Sequence, residues 1–262
     1  MPSEPVWSYR CIGGRCKKTA IDHSKSDTVS KAISLQVCRL LCDGSSYGTV
    51  WPRPTGDARI GTDLVHLDLD GMIFDWVVEH DLLRDRWDAS VQRFRGQLKN
   101  KAVEETIRSG GNRLKVVVEV GSDSLVLNHQ TDESYKLMIK GPQEHAIAVS
   151  IKAATYFGAR HGLETLAQLI VFDDIRNELL VLTDVLLQDG PKYPHRGLSL
   201  DTSRNYVDIA SLKRTIDTLA MVKMNVLHWH VTDSHSFPLV IESQPLLSKF
   251  GAYNKKQIYT AV

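Results

Sequence analysis

Three groups of residues in this sequence have the types and spacing that chemistry needs. The first is Asp201, Ser203, Arg204 and Asn205, and the second is His228, His230, Asp233, Ser234 and His235. Helix capping accounts for Asp208, and capping or turn formation can account for Asp201 and Ser203. Neither accounts well for Arg204, because a cap needs an acceptor and arginine has none. An arginine fork suits a pair of hydroxyls or a carboxylate, so Arg204 is a candidate ligand-binding residue. His228 and His230 alternate along an extended run, and two such histidines with Asp233 form a possible zinc set. No further ligand cluster accompanies them, and hydrogen bonds hold such histidines equally well. Trp229 between them points the other way and is expected in the core. The third group is Cys11, Cys16, Cys38 and Cys42, spaced C-x4-C and C-x3-C, with no cysteine after position 42. Four cysteines allow three disulfide pairings, a zinc site or free thiols, although zinc usually takes C-x2-C pairs.

The first two groups need elements that bring them together. Arg196 to Asp201 reads as a strand, and Asp208 caps a helix with apolar residues at Ile209, Leu212, Ile216, Leu219 and Met224. Asn225 to Val231 reads as a second strand. Strand, helix and strand within about 36 residues make a βαβ unit with parallel strands. Both polar clusters then lie just past the carboxyl ends of those strands, where α/β folds build their sites. A parallel pair needs both faces covered, so this unit reads as the opening of a larger repeated α/β architecture.

Upstream, residues 1–48 form a cysteine segment in which Lys17 to Lys31 reads as a loop and Ser34 to Leu41 as a short apolar stretch. Residues 49–190 read as an α+β domain with helices on one face of its sheet. Its expected strands are Leu64 to Leu69, Met72 to Val78, Leu114 to Val120, Tyr135 to Lys140 and Ala146 to Ala153. A pair of strands, Leu179 to Thr183 and Asp184 to Gln188, closes it. Helices are expected from Asp81 to about Ile107, with apolar positions at Leu82, Trp87, Val91, Phe94 and Leu98, and from Ala154 to Val171. Gly190-Pro191 reads as a linker, and residues 191–262 form the third part.

The 262 residues carry 32 Lys plus Arg against 31 Asp plus Glu, a net charge of +1, with 42% hydrophobic residues. That balance gives little reason to expect nucleic acid as a partner. No run of about 18 apolar residues suggests a membrane span, and residues 1–20 lack an apolar signal core. If the cysteines are disulfides the protein is secreted or luminal, and the amino terminus given is not that of the precursor. No metal or cofactor is expected.

The third part carries a family resemblance. Tyr193-Pro194-His195-Arg196-Gly197-Leu198-Ser199-Leu200-Asp201-Thr202-Ser203-Arg204-Asn205-Tyr206 and His228-Trp229-His230-Val231-Thr232-Asp233-Ser234-His235-Ser236-Phe237-Pro238 resemble the start of the catalytic barrel of the β-N-acetylhexosaminidases, glycoside hydrolase family 20. Trp51-Pro52-Arg53-Pro54, Asp132-Glu133-Ser134-Tyr135 and Gly158-Ala159-Arg160-His161-Gly162-Leu163-Glu164-Thr165 resemble that family's non-catalytic domain. The cysteine segment is similar to the insect branch that processes chitooligosaccharides and N-glycans.

The resemblance implies an α/β chain in which an amino-terminal α+β, zincin-like domain precedes the first βαβ unit of an incomplete TIM (β/α)8 barrel. It implies that Arg204 binds hydroxyls of a terminal N-acetylhexosamine, that Asp233 belongs to an orienting relay and that His230 shapes the base of the site. The implied reaction releases terminal β-linked N-acetylglucosamine or N-acetylgalactosamine with retention, using the substrate's own acetamido oxygen. The implied partner is an oligosaccharide or glycoconjugate, with a homodimer formed through the barrel. The family's adjacent Asp-Glu pair is not among residues 193–262 and is expected beyond Val262. The acidic pair Asp132-Glu133 reads as a turn. The expectation is therefore a fragment, inactive alone. The alternative is a non-catalytic carbohydrate-binding or interaction module derived from the amino-terminal domain.

Overall fold

The computed structural model describes residues 7–22, 24, 30–42, 47–77, 81–101 and 110–260. It is a mixed α/β chain whose contacts divide it into two compact units, one reaching Lys192 and one starting at Tyr193. Among the described residues, no helix is long and apolar enough to cross a membrane.

The first unit opens on a hairpin of β1 (Trp7–Ile12) and β2 (Arg15–Ala20). Its two-residue turn is Gly13-Gly14, both with positive φ, which is the backbone that a tight hairpin of this hand requires. The expectation of a loop over residues 17–31 is corrected in its first part, where the strand Arg15–Ala20 extends past Lys17. The Gly-Gly dipeptide was the signal for it, and residues 23 and 25–29 lie outside the described residues. Cys11 and Cys16 stand opposite each other in the register. They face α1 (Leu35–Cys42), where Cys38 and Cys42 sit one turn apart. The outcome is two disulfides, Cys11 to Cys42 and Cys16 to Cys38. Ser34 caps α1 by accepting the Val37 amide at 3.2 Å.

The remainder of this unit is built on a six-stranded sheet in the order β3-β11-β7-β8-β6-β5. In chain order these are β3 (Ala58–Arg59), β5 (Ile73–Val77), β6 (Arg113–Val120), β7 (Tyr135–Gln143), β8 (Ala146–Ala153) and β11 (Val185–Asp189). A three-stranded sheet holds β4 (Leu64–His66), β10 (Glu178–Leu182) and β9 (Ile170–Asp173). Alternation sorts the large sheet's faces: Leu114, Val116, Leu137, Ile139, Ile147, Val149 and Ile151 are buried, whereas Lys115, Lys136, Lys140 and Lys152 on the other face are exposed. The buried set shares one core with Trp87, Phe94 and Leu98 of α2 (Asp81–Lys99) and with Leu163 and Leu166 of α3 (Tyr156–Gln168).

Several boundaries differ from the sequence reading. The last two strands do not pair with each other: β10 joins β4 and β9, while β11 joins β7 and β3. Between them Asp184 takes φ +57° and its carbonyl accepts the Gly61 amide at 3.2 Å, so the chain swings from one sheet to the other. The helix expected to reach Val171 stops at Gln168, and Ile170 already begins β9. There Lys101 donates to the Ile170 carbonyl at 2.6 Å and to that of Ala167. Burial pushes its ammonium down to about 8. The helix expected to reach Ile107 is described to Lys99. Residues 102–109 lie outside the described residues, as do the side chain of Leu82 and Val78.

The Gly158 to Thr165 segment is a packing device. A Cβ at Gly158 would press into the Ser134 carbonyl oxygen and lie 3.1 Å from Glu133 carbonyl carbon. Arg160 pairs with Glu164 at 2.8 Å, one turn along the same helix. His161 meets Glu133 at 2.8 Å with both side chains buried. Asp132 accepts the Ser134 amide at 2.8 Å, as a turn residue does, but Glu133 turns inward, which corrects the reading of the acidic pair as simply a turn. Gly158→Ala is expected to destabilise the protein by about 2 kcal/mol despite alanine's better helix propensity, because the obstructing atoms are backbone and cannot yield. Urea unfolding checks this, and an alanine variant as stable as the parent would contradict it.

The second unit pairs β12 (Gly197–Asp201) with β13 (Val226–His230) in parallel, Asp201 opposite His230. Between them runs α4 (Ile209–Met221), capped by Asp208, which accepts the Ser211 amide at 2.9 Å. A short helix, α5 (Pro245–Gly251), follows. The strand before the helix is held at its entry by Arg196, which donates to the Lys223 carbonyl at 2.7 Å and to the Tyr193 carbonyl at 2.7 Å. Trp229 is not core: it is 37% exposed. Its indole N–H donates to Thr202 Oγ1 at 2.7 Å, and its ring meets Tyr259 edge-on.

Candidate functional site

The parallel register fixes where the polar clusters meet. Since Asp201 lies opposite His230, the turns leaving both strands start side by side, and the Thr202 amide ties them by donating to the His230 carbonyl at 3.0 Å. In the first turn Asp201 Oδ1 accepts the amides of Ser203 at 3.0 Å and Arg204 at 3.1 Å. These bonds curl the chain so that the Arg204 guanidinium folds back, its Nε bonded to Asp201 Oδ2.

The second turn is organised around Asp233. The buried hydroxyl of Ser203 donates to its Oδ1 at 2.6 Å, and the amides of His235 and Ser236 donate to the same oxygen at 2.7 Å and 3.3 Å. On the other oxygen, His230 Nε2 lies at 3.2 Å and Arg204 Nη1 at 3.1 Å. Asp233 is thus the link between the two turns, while 51% of the Arg204 side chain stays exposed beside it.

The electrostatics follow from these donors. The Ser203 hydroxyl, with the neighbouring amides and His230, holds the Asp233 carboxyl well below the usual carboxylate range. The Arg204 amide, helped by the Arg204 side chain, lowers Asp201 in the same way. The hydrogen bond to Asp201 in turn raises Arg204 above its ordinary value. An anionic cradle therefore holds one guanidinium with part of its fork free for hydroxyl oxygens, which accept such donors well.

Both carboxyls are lowered on folding, so their contribution to stability is full above about pH 4, near the unfolded carboxylate value, and is lost as pH falls below it. The Trp229 indole proton, bonded to Thr202 next to this cradle, reports on it. In a variant with His228, His230 and His235 replaced by Gln, so that no imidazole titrates beside Trp229 and Asp233, its NMR resonance is expected to hold from pH 7 to about 4 and to shift only in more acid solution. A shift centred above that value would contradict the assignment.

Of the residues expected at the site, Arg204, Asp233 and His230 come together. His228 is exposed and takes no part. The sequence alone does not assign Asp201 and Ser203 as the holders of Arg204 and Asp233, although the i,i+3 spacing of Asp201 and Arg204 is a signal for the first. Among the described residues, three donors close enough to chelate one ion are Cys16, Cys38 and Cys42, all bound in disulfides.

Comparison with known proteins agrees along the chain. Residues 193–261 match "Glycosyl hydrolase family 20, catalytic domain", and residues 50–169 match "beta-acetyl hexosaminidase like". A chitooligosaccharidolytic beta-N-acetylglucosaminidase of Ostrinia furnacalis is 40% identical over 97% of this chain, and one of Bombyx mori is 37% identical over 97%. The chain spans 42% of the length of each of these relatives. A chitobiase structure from Flavobacterium johnsoniae superposes with a TM-score of 0.63 at 25% identity, over 80% of this chain and 31% of that one. With two matches of one family in succession and relatives aligned over nearly its whole length, the chain belongs to glycosyl hydrolase family 20.

Proposed function

We propose that these residues form part of a β-N-acetylhexosaminidase that removes terminal β-linked N-acetylglucosamine or N-acetylgalactosamine from chitooligosaccharides or glycoconjugates. The observation that carries the reading is the half-exposed Arg204 fork, held between Asp201 and Asp233 at the carboxyl ends of two parallel strands. In this reading Arg204 binds hydroxyls of the terminal sugar, Asp233 fixes the fork, and His230 supports Asp233 from below. The chemistry is retaining and substrate-assisted, as is characteristic of this family. The names of the two insect relatives favour chitooligosaccharides among these substrates.

The proposal extends to the architecture: a cysteine segment over 1–48, a zincin-like domain over 49–190 and, from 191, the first βαβ unit of a (β/α)8 barrel. It places the protein in the secretory pathway, as the two disulfides favour, with dimerisation through the barrel. Residues 193–262 contain no adjacent Asp-Glu pair, so by themselves the 262 residues are not expected to hydrolyse a glycoside. A chimera tests the function: these residues replace the matched part of the Ostrinia furnacalis enzyme. It should release nitrophenol from 4-nitrophenyl N-acetyl-β-glucosaminide with the β-anomer as first product. A folded chimera without turnover, or one giving the α-anomer, would overturn the reading.

A further inference from the structure

The net charge of +1 hides an uneven distribution. Residues 1–42 hold seven Lys or Arg against three Asp or Glu, so this segment carries +4 and the remainder of the chain −3. Such asymmetry is a common footprint of an anionic partner. The fold concentrates it on the small disulfide-stapled module of β1, β2 and α1.

The arrangement of these cations is costly for stability alone. Arg10 and Lys17 are direct cross-strand partners on the hairpin, and both are exposed. Like charges directly opposite on neighbouring strands repel. Beyond them Arg15 and Arg39 border an open groove of about 800 Å³, together with Gln36 and Thr49. None of these four cations has an ion pair or side-chain hydrogen bond among the described residues. The module that carries them is held rigid by two disulfides. Alternation turns Arg10 and Lys17 to the hairpin face away from the cysteines, so the cations flank the hairpin on a backbone that is already fixed, and an anion bound along it costs side-chain but little backbone freedom.

We propose that this module is a binding surface for an acidic polysaccharide, with Arg10, Arg15, Lys17 and Arg39 taking its sulfate or carboxylate groups. The neutral lining favours this class over other polyanions, because Gln36 and Thr49 supply partners for sugar hydroxyls beside the guanidinium forks. On the same hairpin the Lys18 ammonium lies over the Trp7 ring at 4.1 Å, a cation–π pair. The site lies in the first unit and does not depend on the catalytic reading.

The probe is heparin, titrated against the intact 262-residue chain at two salt concentrations. Binding should weaken with salt in proportion to the cations engaged. The double reversal Arg10→Glu with Lys17→Glu should lower heparin affinity by about tenfold or more and reduce the salt slope by about two. Arg15→Glu with Arg39→Glu should act likewise. The control is Lys136→Glu with Lys140→Glu on the exposed face of the six-stranded sheet, which has the same net charge and should bind within about twofold of the parent. Circular dichroism and thiol titration confirm that each variant is folded and disulfide-bonded. Equal losses in the control would reduce the effect to net charge and overturn the proposal. So would an affinity for heparin no greater than for phosphatidylserine vesicles or polyglutamate.

Discussion

Asp233→Asn in the chimera is expected to lower kcat/KM for the nitrophenyl substrate by about a hundredfold, the scale at which small misplacement of a positioning group is felt. The carboxylate uses one oxygen for the Ser203 hydroxyl and two backbone amides, and the other for His230 and Arg204. Asparagine keeps one acceptor oxygen and offers an amide to the other side. If the oxygen stays with Ser203, the new amide faces the Arg204 guanidinium, donor against donor. Arg204 then keeps only its Asp201 anchor and its fork swings. Ser203→Ala, which removes one donor while leaving the Arg204 contact, should cost less. If both variants kept parental kinetics, Asp233 would be a turn residue and no more.

Loss of both disulfides is the largest expected effect on stability. The bridges close loops of 31 and 22 residues, which corresponds to about 3 to 4 kcal/mol each by chain entropy, less than additive because one loop lies within the other. Besides the bridges the hairpin and α1 are held by few contacts: β1 and β2 are largely exposed, β1 bonds to Ile33, and α1 buries Val37, Leu40 and its cysteines, with Leu40 reaching the main core. Replacing Cys16 and Cys38 with serine in a background that also lacks Cys11 and Cys42 should therefore release this module. Hydrogen exchange should show β1, β2 and α1 unprotected, while β6, β7 and β8, whose core residues are independent of the bridges, keep their protection. Uniform loss of protection would mean that the module nucleates the whole first unit.

The second unit was legible because its signals are local. Asp208 caps its helix as its position before Ile209 suggests, and both strands fall within one residue of the alternating runs that marked them. The site residues could be named for the same reason, since turns at the ends of parallel strands collect them. Their partnerships could not: Asp233 reaches Ser203 across 30 positions, and only the register that sets Asp201 beside His230 makes that contact possible. Long-range ties were hidden elsewhere too. Glu133 looked like half of a turn because its partner, His161, is 28 residues away on a helix. The parting of β10 and β11 hung on a single left-handed residue, Asp184, in a stretch that otherwise reads as continuous strand. Trp229 shows the limit of alternation, which places a residue on a face without saying what covers that face.

Arg204, gripped by Asp201 and Asp233, is the group proposed to bind the terminal sugar. The most direct measurement compares the chimera with its Arg204→Ala and Arg204→Lys variants on the nitrophenyl substrate. kcat/KM is expected to fall by about 10² to 10³ for alanine, the loss of two charge-assisted hydrogen bonds, with only partial rescue by lysine, which keeps the charge without the fork. An alanine variant with unchanged kcat/KM would contradict it.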